Sequence, residues 1–209
     1  QEQMGTFMYH SGIVRVPYQL LEDSFFDLES YLPMQLTRRI ARKENADYAN
    51  GNGTTAPQGF LTAAPSVATA GVGAIIWDDM IDLEHSVDPE YRMNGVYALS
   101  DAALLVIRKL KDADGRPIWQ PSPRDGAPAT INGKRYVIVQ EMPTVATGNS
   151  PVAFGDFNQF IIRDAGTPIV QRLQERFAEF LQVGFHNAER HGSHLLTAGG
   201  EPIKKLTVG

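Results

Sequence analysis

The chain contains no cysteine, which excludes disulfide staples and thiolate metal sites. No apolar run approaches the roughly 20 residues needed to cross a bilayer, and no signal peptide is visible in the sequence. Positive charge is not in surplus: 19 Lys and Arg stand against 24 Asp and Glu, a net charge of −5 at pH 7. No global basic field therefore draws nucleic acid or an anionic membrane. The signatures of common chemistry are missing too, with no G-x-S-x-G elbow, no H-E-x-x-H and no Cys nucleophile. The opening QEQMGTFMYH has no initiator Met, which suggests a trimmed or processed fragment.

What remains is an ordinary globular composition, 43% hydrophobic and 21% charged over 209 residues. That is enough for one large domain or two small ones. SGIVRVPY (Ser11 to Tyr18) alternates as a short strand does. From Leu21 the period changes: Leu21, Phe25, Leu28, Leu32, Leu36 and Ile40 fall on one helical face. This predicts a helix running to about Ala49, about 40 Å long at 1.5 Å per residue, with Pro33 kinking it or marking a restart. Gly51 or Gly53 then ends it in the left-handed conformation. Thr62 to Ala74 is small and flexible, a linker by composition. Trp77, Met80, Ile81 and Leu83 mark a helix that Pro89 ends, and Gly95 to Ser100 reads as a buried strand. Ser100 or Asp101 caps a helix to about Lys111, with Leu104, Ile107 and Leu110 inward. Tyr136 to Met142 and Pro151 to Phe157 are apolar strands, followed by QFIIRD, TPIVQRL, a polar segment to Gln182 and a final PIKKLTV. The pattern is α+β, in two lobes.

Four stretches invite a chemical reading. NGNGTTAPQGFLTA (Asn50 to Ala63) is Gly-rich, but a phosphate loop precedes a helix, where N–H groups point at the anion. This loop follows one and lacks the Gly-Lys-Ser/Thr ending, so it reads as a helix stop and a bend. HNAERHGSH holds His186, His191 and His194 with Glu189, which offers a metal-dependent hydrolase as the enzyme alternative. The spacing suits neither geometry: on a helix His186 is out of phase, and on a strand His191 points away from the other two. DADG (Asp112 to Gly115) opens like a calcium loop without the later Glu and reads as a turn. Asp78, Asp79, Asp82 and Glu84 read as the solvated face of a helix rather than an acid–base pair. The residues assign no catalytic, cofactor, metal or nucleic-acid site.

Several segments in order carry a resemblance: SGIVRVPYQLLEDSFFDLESYL, RKENADYANGNGTTAPQGFLT, ALSDAALLVIRKLKDADGRPIWQP, PVAFGDFNQFIIRD and FLQVGFHNAER. Together they resemble the major capsid proteins of tailed phages, including prophage members, with the Hong Kong 97-type fold. The likeness runs from about Ser11 to the C-terminus. It implies a peripheral domain built on a spine helix from about Phe25 to Ala49, with residues 1–74 and 164–209 in that domain. Residues 75–163 would form the axial domain, with the linker boundary near Ile75 and the returning strands after Ile169. It implies a non-enzymatic subunit that joins copies of itself into pentamers and hexamers of an icosahedral head around double-stranded DNA. The implied setting is the virion, assembled in a bacterial cytoplasm with a scaffolding domain, a maturation protease and a portal protein, and without membrane or cofactor. The N-terminal arm and most of the extended loop of the family are expected to be missing, with only the returning edge in Gln1 to Ser11, leaving the fragment monomeric or weakly associated. Some relatives weld the shell through a Lys–Asn bond assisted by Glu. Here Val183 falls at the Asn position and Glu189 or Arg190 at the Glu position, so no crosslinking residue is carried over. An encapsulin-like nanocompartment shell and a soluble interaction module are the other readings.

Overall fold

The computed structural model describes residues 4–69, 73–112, 114–119, 130–197 and 199–209. In chain order the elements are β1 (Phe7–Pro17), α1 (Tyr18–Asp23), α2 (Leu28–Asn50), α3 (Phe60–Ala63), β2 (Ser66–Ala68), α4 (Trp77–Ser86), α5 (Pro89–Arg92) and β3 (Val96–Leu99). Then come α6 (Asp101–Lys109), β4 (Thr130–Ile131), β5 (Lys134–Ile138), β6 (Val152–Gly155), β7 (Phe160–Asp164), β8 (Ile169–Leu173), β9 (Gln182–Leu195) and β10 (Ile203–Thr207).

The strand expected at Ser11 is real and begins earlier, at Phe7. The single long helix is two. The break falls at Ser24–Asp27 rather than at Pro33, because the Asp27 side chain accepts from the Ser30 N–H and caps α2. Phe25, placed on the apolar stripe by its spacing, lies in that break and is fully exposed. Pro33 sits in the second turn of α2, which continues through it. Leu36 and Ile40 are buried. Leu36 packs with Val16, Val183 and Phe185, flanked by Leu21 and Leu32. Pro89 does not end α4; the chain leaves that helix at Ser86, and Pro89 opens α5 at a position where its missing N–H is harmless.

Two sheets organise the rest. In the four-stranded sheet β9 is central: β1 runs antiparallel along one side of it, from Phe7↔His191 to Pro17↔Gln182. The other side of β9 pairs first with β8, Leu173↔Gly184 to Ile169↔Ala188, and then with β7, Asp164↔His191 to Phe160↔Leu195. Helix α2 covers one face of this sheet through Leu36.

The six-stranded sheet has the order β2-β10-β6-β3-β5-β4, with β2–β10 and β3–β5 parallel and the remaining pairs antiparallel. The expected strands VYAL and VAFG are its centre and are buried except at the half-buried Val96. Met80 and Leu83 of α4 pack beside Leu104 and Ile107 of α6, with Tyr97, Phe154 and Leu206 from the strands, in one apolar cluster. Ser100 caps α6 by accepting from the Ala103 N–H, as its position predicted. The strand expected at Tyr136–Met142 is shorter and shifted to Lys134–Ile138, and Val137 and Ile138 are half-exposed rather than buried.

Sheet membership cuts across the spans 1–74, 75–163 and 164–209. Strands β2 and β10, from the two outer spans, complete the six-stranded sheet. Strand β7, largely from the middle span, joins the four-stranded one. The predicted linker holds the end of α3 and all of β2, while residues 70–72 lie outside the described residues.

Candidate functional site

The Gly-rich loop uses its own N–H groups. Asn52 Oδ1 accepts from the backbone N–H of Thr54, Thr55 and Ala56 at 3.0, 2.9 and 3.3 Å. Those are the donors a phosphate would need, and they are already taken. Gly53 takes the left-handed turn (φ +74°). Gln58 ties the loop to β9: its carbonyl accepts from Ser193 Oγ and its side-chain oxygen from the Leu195 N–H. The loop therefore joins the end of α2 to the central strand. Asn52→Ala removes one acceptor shared by three donors at an exposed site and is expected to lower stability by about 1 kcal/mol. Denaturant unfolding reads this, and ATP should leave the melting temperature unchanged in both proteins.

The other acidic candidates have structural partners. Asp112 Oδ1 accepts from the N–H groups of Asp114 and Arg116, and Gly115 is left-handed (φ +79°), which makes the predicted turn; residue 113 lies outside the described residues. Asp79 is buried, not solvated as expected, because its carboxylate accepts from the Ile76 N–H at the start of α4. Glu84 accepts from the Tyr97 hydroxyl at 3.1 Å. A cleft of about 750 Å³ lies between α2 and β5, lined by Arg42, Tyr48, Phe60, Arg135, Val137 and Phe160 among others. Among the described residues its lining holds one carboxylate, Glu141, and no second acid or histidine for proton transfer.

The three histidines do not converge. All lie on β9, where alternation puts His191 on the face toward α2 and His186 and His194 on the other. His186 instead stacks near His10, ring centroids 5.6 Å apart. His191 gathers carboxylates from three elements. Its Nδ1 lies 2.7 Å from Asp164 Oδ1 on β7, and its Nε2 lies 2.8 Å from Glu44 Oε1 on α2 and 3.2 Å from Glu189 Oε2 on β9. Burial works against a charged His191 ring, but the Asp164 hydrogen bond, the Glu44 charge and the Glu189 hydrogen bond outweigh it and move its pKa up. Burial raises the Glu44 carboxyl as well; the His191 charge opposes this, and the charges of Glu189, Asp164 and Asp47 add to it. Beside this group the Tyr9 hydroxyl donates to Asp47 Oδ2 at 2.9 Å, and Lys43 pairs with Asp47 Oδ1 at 2.7 Å. The sequence held the β9 half of this arrangement; Glu44, more than a hundred residues away, carried no local signal.

Large apolar side chains are exposed at many positions among the described residues, including two groups beside the four-stranded sheet. Leu20, Phe25, Phe26, Tyr31 and Met34 crowd the break before α2, with the Phe26 and Tyr31 rings edge to face at 5.7 Å. On the other flank of β9, Ile169 and Val170 of β8 lie open, and Phe180 and Leu181 are exposed just before β9, where Leu181, left-handed at φ +53°, accepts through its carbonyl from the Tyr18 N–H. Contiguous exposure of this kind marks surfaces that meet other proteins.

The model of the phage capsid family matches residues 3–208, nearly the whole sequence. The chain belongs to the phage capsid family. This capsid protein has the Hong Kong 97-type fold expected from its sequence, and it is a structural subunit of a shell. The capsid of an empty GTA particle superposes on it with a TM-score of 0.87 and 29% identity, over 99% of this chain and 74% of that one. The capsid of the native GTA particle gives the same score and identity over 99% and 73%. A structure from Mycobacterium phage Adephagia aligns at 0.73 and 16% identity over 98% and 72%. The holo-SrpI encapsulin complex from Synechococcus elongatus aligns at 0.70 and 12% identity over 98% and 73%, a likeness of fold alone. A comparison with curated proteins gives no match. As a capsid subunit the protein associates with copies of itself in a virion shell.

Proposed function

We propose that the protein builds an icosahedral phage head, with copies of this chain in hexamers and pentamers enclosing double-stranded DNA. The observation that carries this is the superposition on a GTA-particle capsid over 99% of the chain at 29% identity. In this reading the four-stranded sheet with α2 is the peripheral domain and α2 its spine. The six-stranded sheet is the axial domain at the capsomer centre, with β2 and β10 counted in it. The subunit does no chemistry, and its net charge of −5 suits confinement of DNA rather than affinity for it. Assembly would take place in the bacterial cytoplasm with a scaffolding domain, maturation protease and portal as partners. An encapsulin-like shell is less favoured, because the likeness to an encapsulin stops at 12% identity.

The two exposed apolar regions are the surfaces at which neighbouring copies would meet, one at the entry to α2 and one along β8. They lie on opposite flanks of β9, β1–α1 running on from Pro17↔Gln182 and β8 pairing the other flank from Gly184 to Ala188, and two unlike surfaces are what heterologous ring contacts join. Phe25 is fully exposed, so Phe25→Asp should leave the melting temperature within about 2 °C of the parent for a change of less than about 0.5 kcal/mol. Light scattering and electron microscopy of the natural full-length protein should show rings or closed shells, and the Phe25→Asp form should lose them. A natural protein that stays monomeric across salt, pH and crowding would overturn the shell reading.

A further inference from the structure

We propose that Glu44, Glu189 and His191 form a binding site for one divalent transition-metal ion, placed between α2 and β9. One ligand atom from each residue lies within 4.8 Å of the other two. The three are nearly enclosed, with side chains 12%, 10% and 12% exposed respectively, while Asp164 behind them is 73% exposed and leaves a way in from water.

The outer atoms of two ligands are already fixed. His191 Nδ1 is held by Asp164 at 2.7 Å, which orients the ring and turns Nε2 toward the two glutamates. This is the carboxylate–histidine support that metal-binding imidazoles use. Glu189 Oε1 accepts from the fully buried Asn187 amide at 2.8 Å, so its other oxygen, Oε2, is the one presented. The same Asn187 Nδ2 also donates to Thr37 Oγ1 at 3.2 Å.

Without an ion the arrangement is unbalanced in two respects. Two carboxylate oxygens compete for one imidazole nitrogen, and only the Glu189 contact has hydrogen-bond geometry; Glu44 Oε1 is wholly buried and has no hydrogen bond. That oxygen has the ion pair with His191 but not the directed hydrogen bond that a buried acceptor needs. Charge is also short. Glu44, Glu189 and Asp164 surround one imidazole, and none of the ion pairs among the described residues brings Lys or Arg to them; Lys43, one residue from Glu44, is paired with Asp47. A divalent ion supplies both the missing partner and the missing charge.

The donor set selects the kind of ion. Two carboxylates and one imidazole nitrogen suit zinc and its neighbours rather than magnesium or calcium, which take oxygen ligands. Tetrahedral zinc bonds of about 2.0–2.1 Å set neighbouring donor atoms about 3.3 Å apart. The present separations from Nε2, 2.8 and 3.2 Å, need only a small opening to admit the ion. The three ligands leave a fourth position for water. Bound there, the ion would pin the long helix to the central strand of the four-stranded sheet.

The test is calorimetric titration of the metal-free full-length protein with ZnCl2, and with MgCl2 as the hard-cation control. One zinc per chain is expected, with no magnesium signal. Glu44→Gln and Glu189→Gln keep size and shape and should each weaken zinc by at least about 100-fold. His186→Ala, which removes the exposed pair with His10 on the opposite face, should change nothing. In the unaltered protein, nitrogen-detected NMR of the histidine rings should show zinc moving the His191 Nε2 signal while His186 stays in place. This second readout stands even if a variant fails to fold. Absence of zinc binding, binding unchanged in both glutamine variants, or a perturbation confined to His10 and His186 would each overturn the proposal.

Discussion

Phe154→Ala is expected to destabilise the protein by about 3–5 kcal/mol, the range for emptying a fully buried aromatic site. Phe154 is wholly inaccessible in β6, opposite Tyr97 on one side and Lys204 on the other, and its ring centroid lies 4.5 Å from that of Tyr97. Collapse cannot refill the space from above, because Gly95 is there: a Cβ on Gly95 would stand 2.3 Å from the ring tip. Removing the ring therefore leaves a cavity lined by β3, β10 and a glycine. Against a typical total of about 5–15 kcal/mol, the loss brings the six-stranded sheet close to unfolding. Urea unfolding of the two proteins measures the difference, and a change under about 1 kcal/mol would mean that Phe154 is not the centre of that core.

Gly51→Ala is expected to have the second large effect, about 3 kcal/mol or more, from collision rather than from backbone conformation. Gly51 has an ordinary φ of −59°, yet a Cβ there would lie 1.9 Å from the Pro57 carbonyl oxygen and 2.5 Å from that of Asp47. Both oxygens belong to backbone that cannot step aside, since the Gly51 N–H donates to Asp47 and the Gly51 carbonyl accepts from Gly59. Gly53 is the informative contrast. It is left-handed at φ +74°, but nothing approaches its Cβ position closer than 3.6 Å. Gly53→Ala should thus cost only the conformational penalty, about 1–2 kcal/mol. Thermal unfolding of both variants separates them, and equal losses would refute the crowding argument.

The sequence could suggest both glycines as helix terminators, but it could not tell one role from the other, because the Pro57 carbonyl that crowds Gly51 arrives by a turn. The same division runs through the fold. Features set by neighbours along the chain were legible: the Ser100 cap, the alternation from Ser11, and the buried runs VYAL and VAFG. The helix break was misplaced because six apolar residues at helical spacing outweighed a single Asp27–Ser30 cap, and Pro33 offered a more familiar reason for a break. Val137 and Ile138 look like core residues by type, and only their position near the margin of the six-stranded sheet exposes them. In the histidine segment the strand period already turns His191 away from His186 and His194, but the carboxylates around His191 come from β7, α2 and β9, a convergence that no window along the chain contains. The family likeness, by contrast, was legible because it depends on the order of many short segments rather than on any one contact.

The position of β10 bears on when this protein can fold as it leaves the ribosome. It lies between β2 and β6, carrying Ile203 and Leu206 into the core, so residues 66–68 wait for residues 205–207 to be made. At about 5–20 residues per second of synthesis, that is several seconds in which β2 and β6 lack their shared neighbour. Pairing across so long a loop also slows the closing step. A nascent chain interrupted before residue 203 is left with two open strand edges and no means of closing them. Strand β10 is thus a check on translation through residue 207: only a polypeptide carried that far can close this sheet before it meets another.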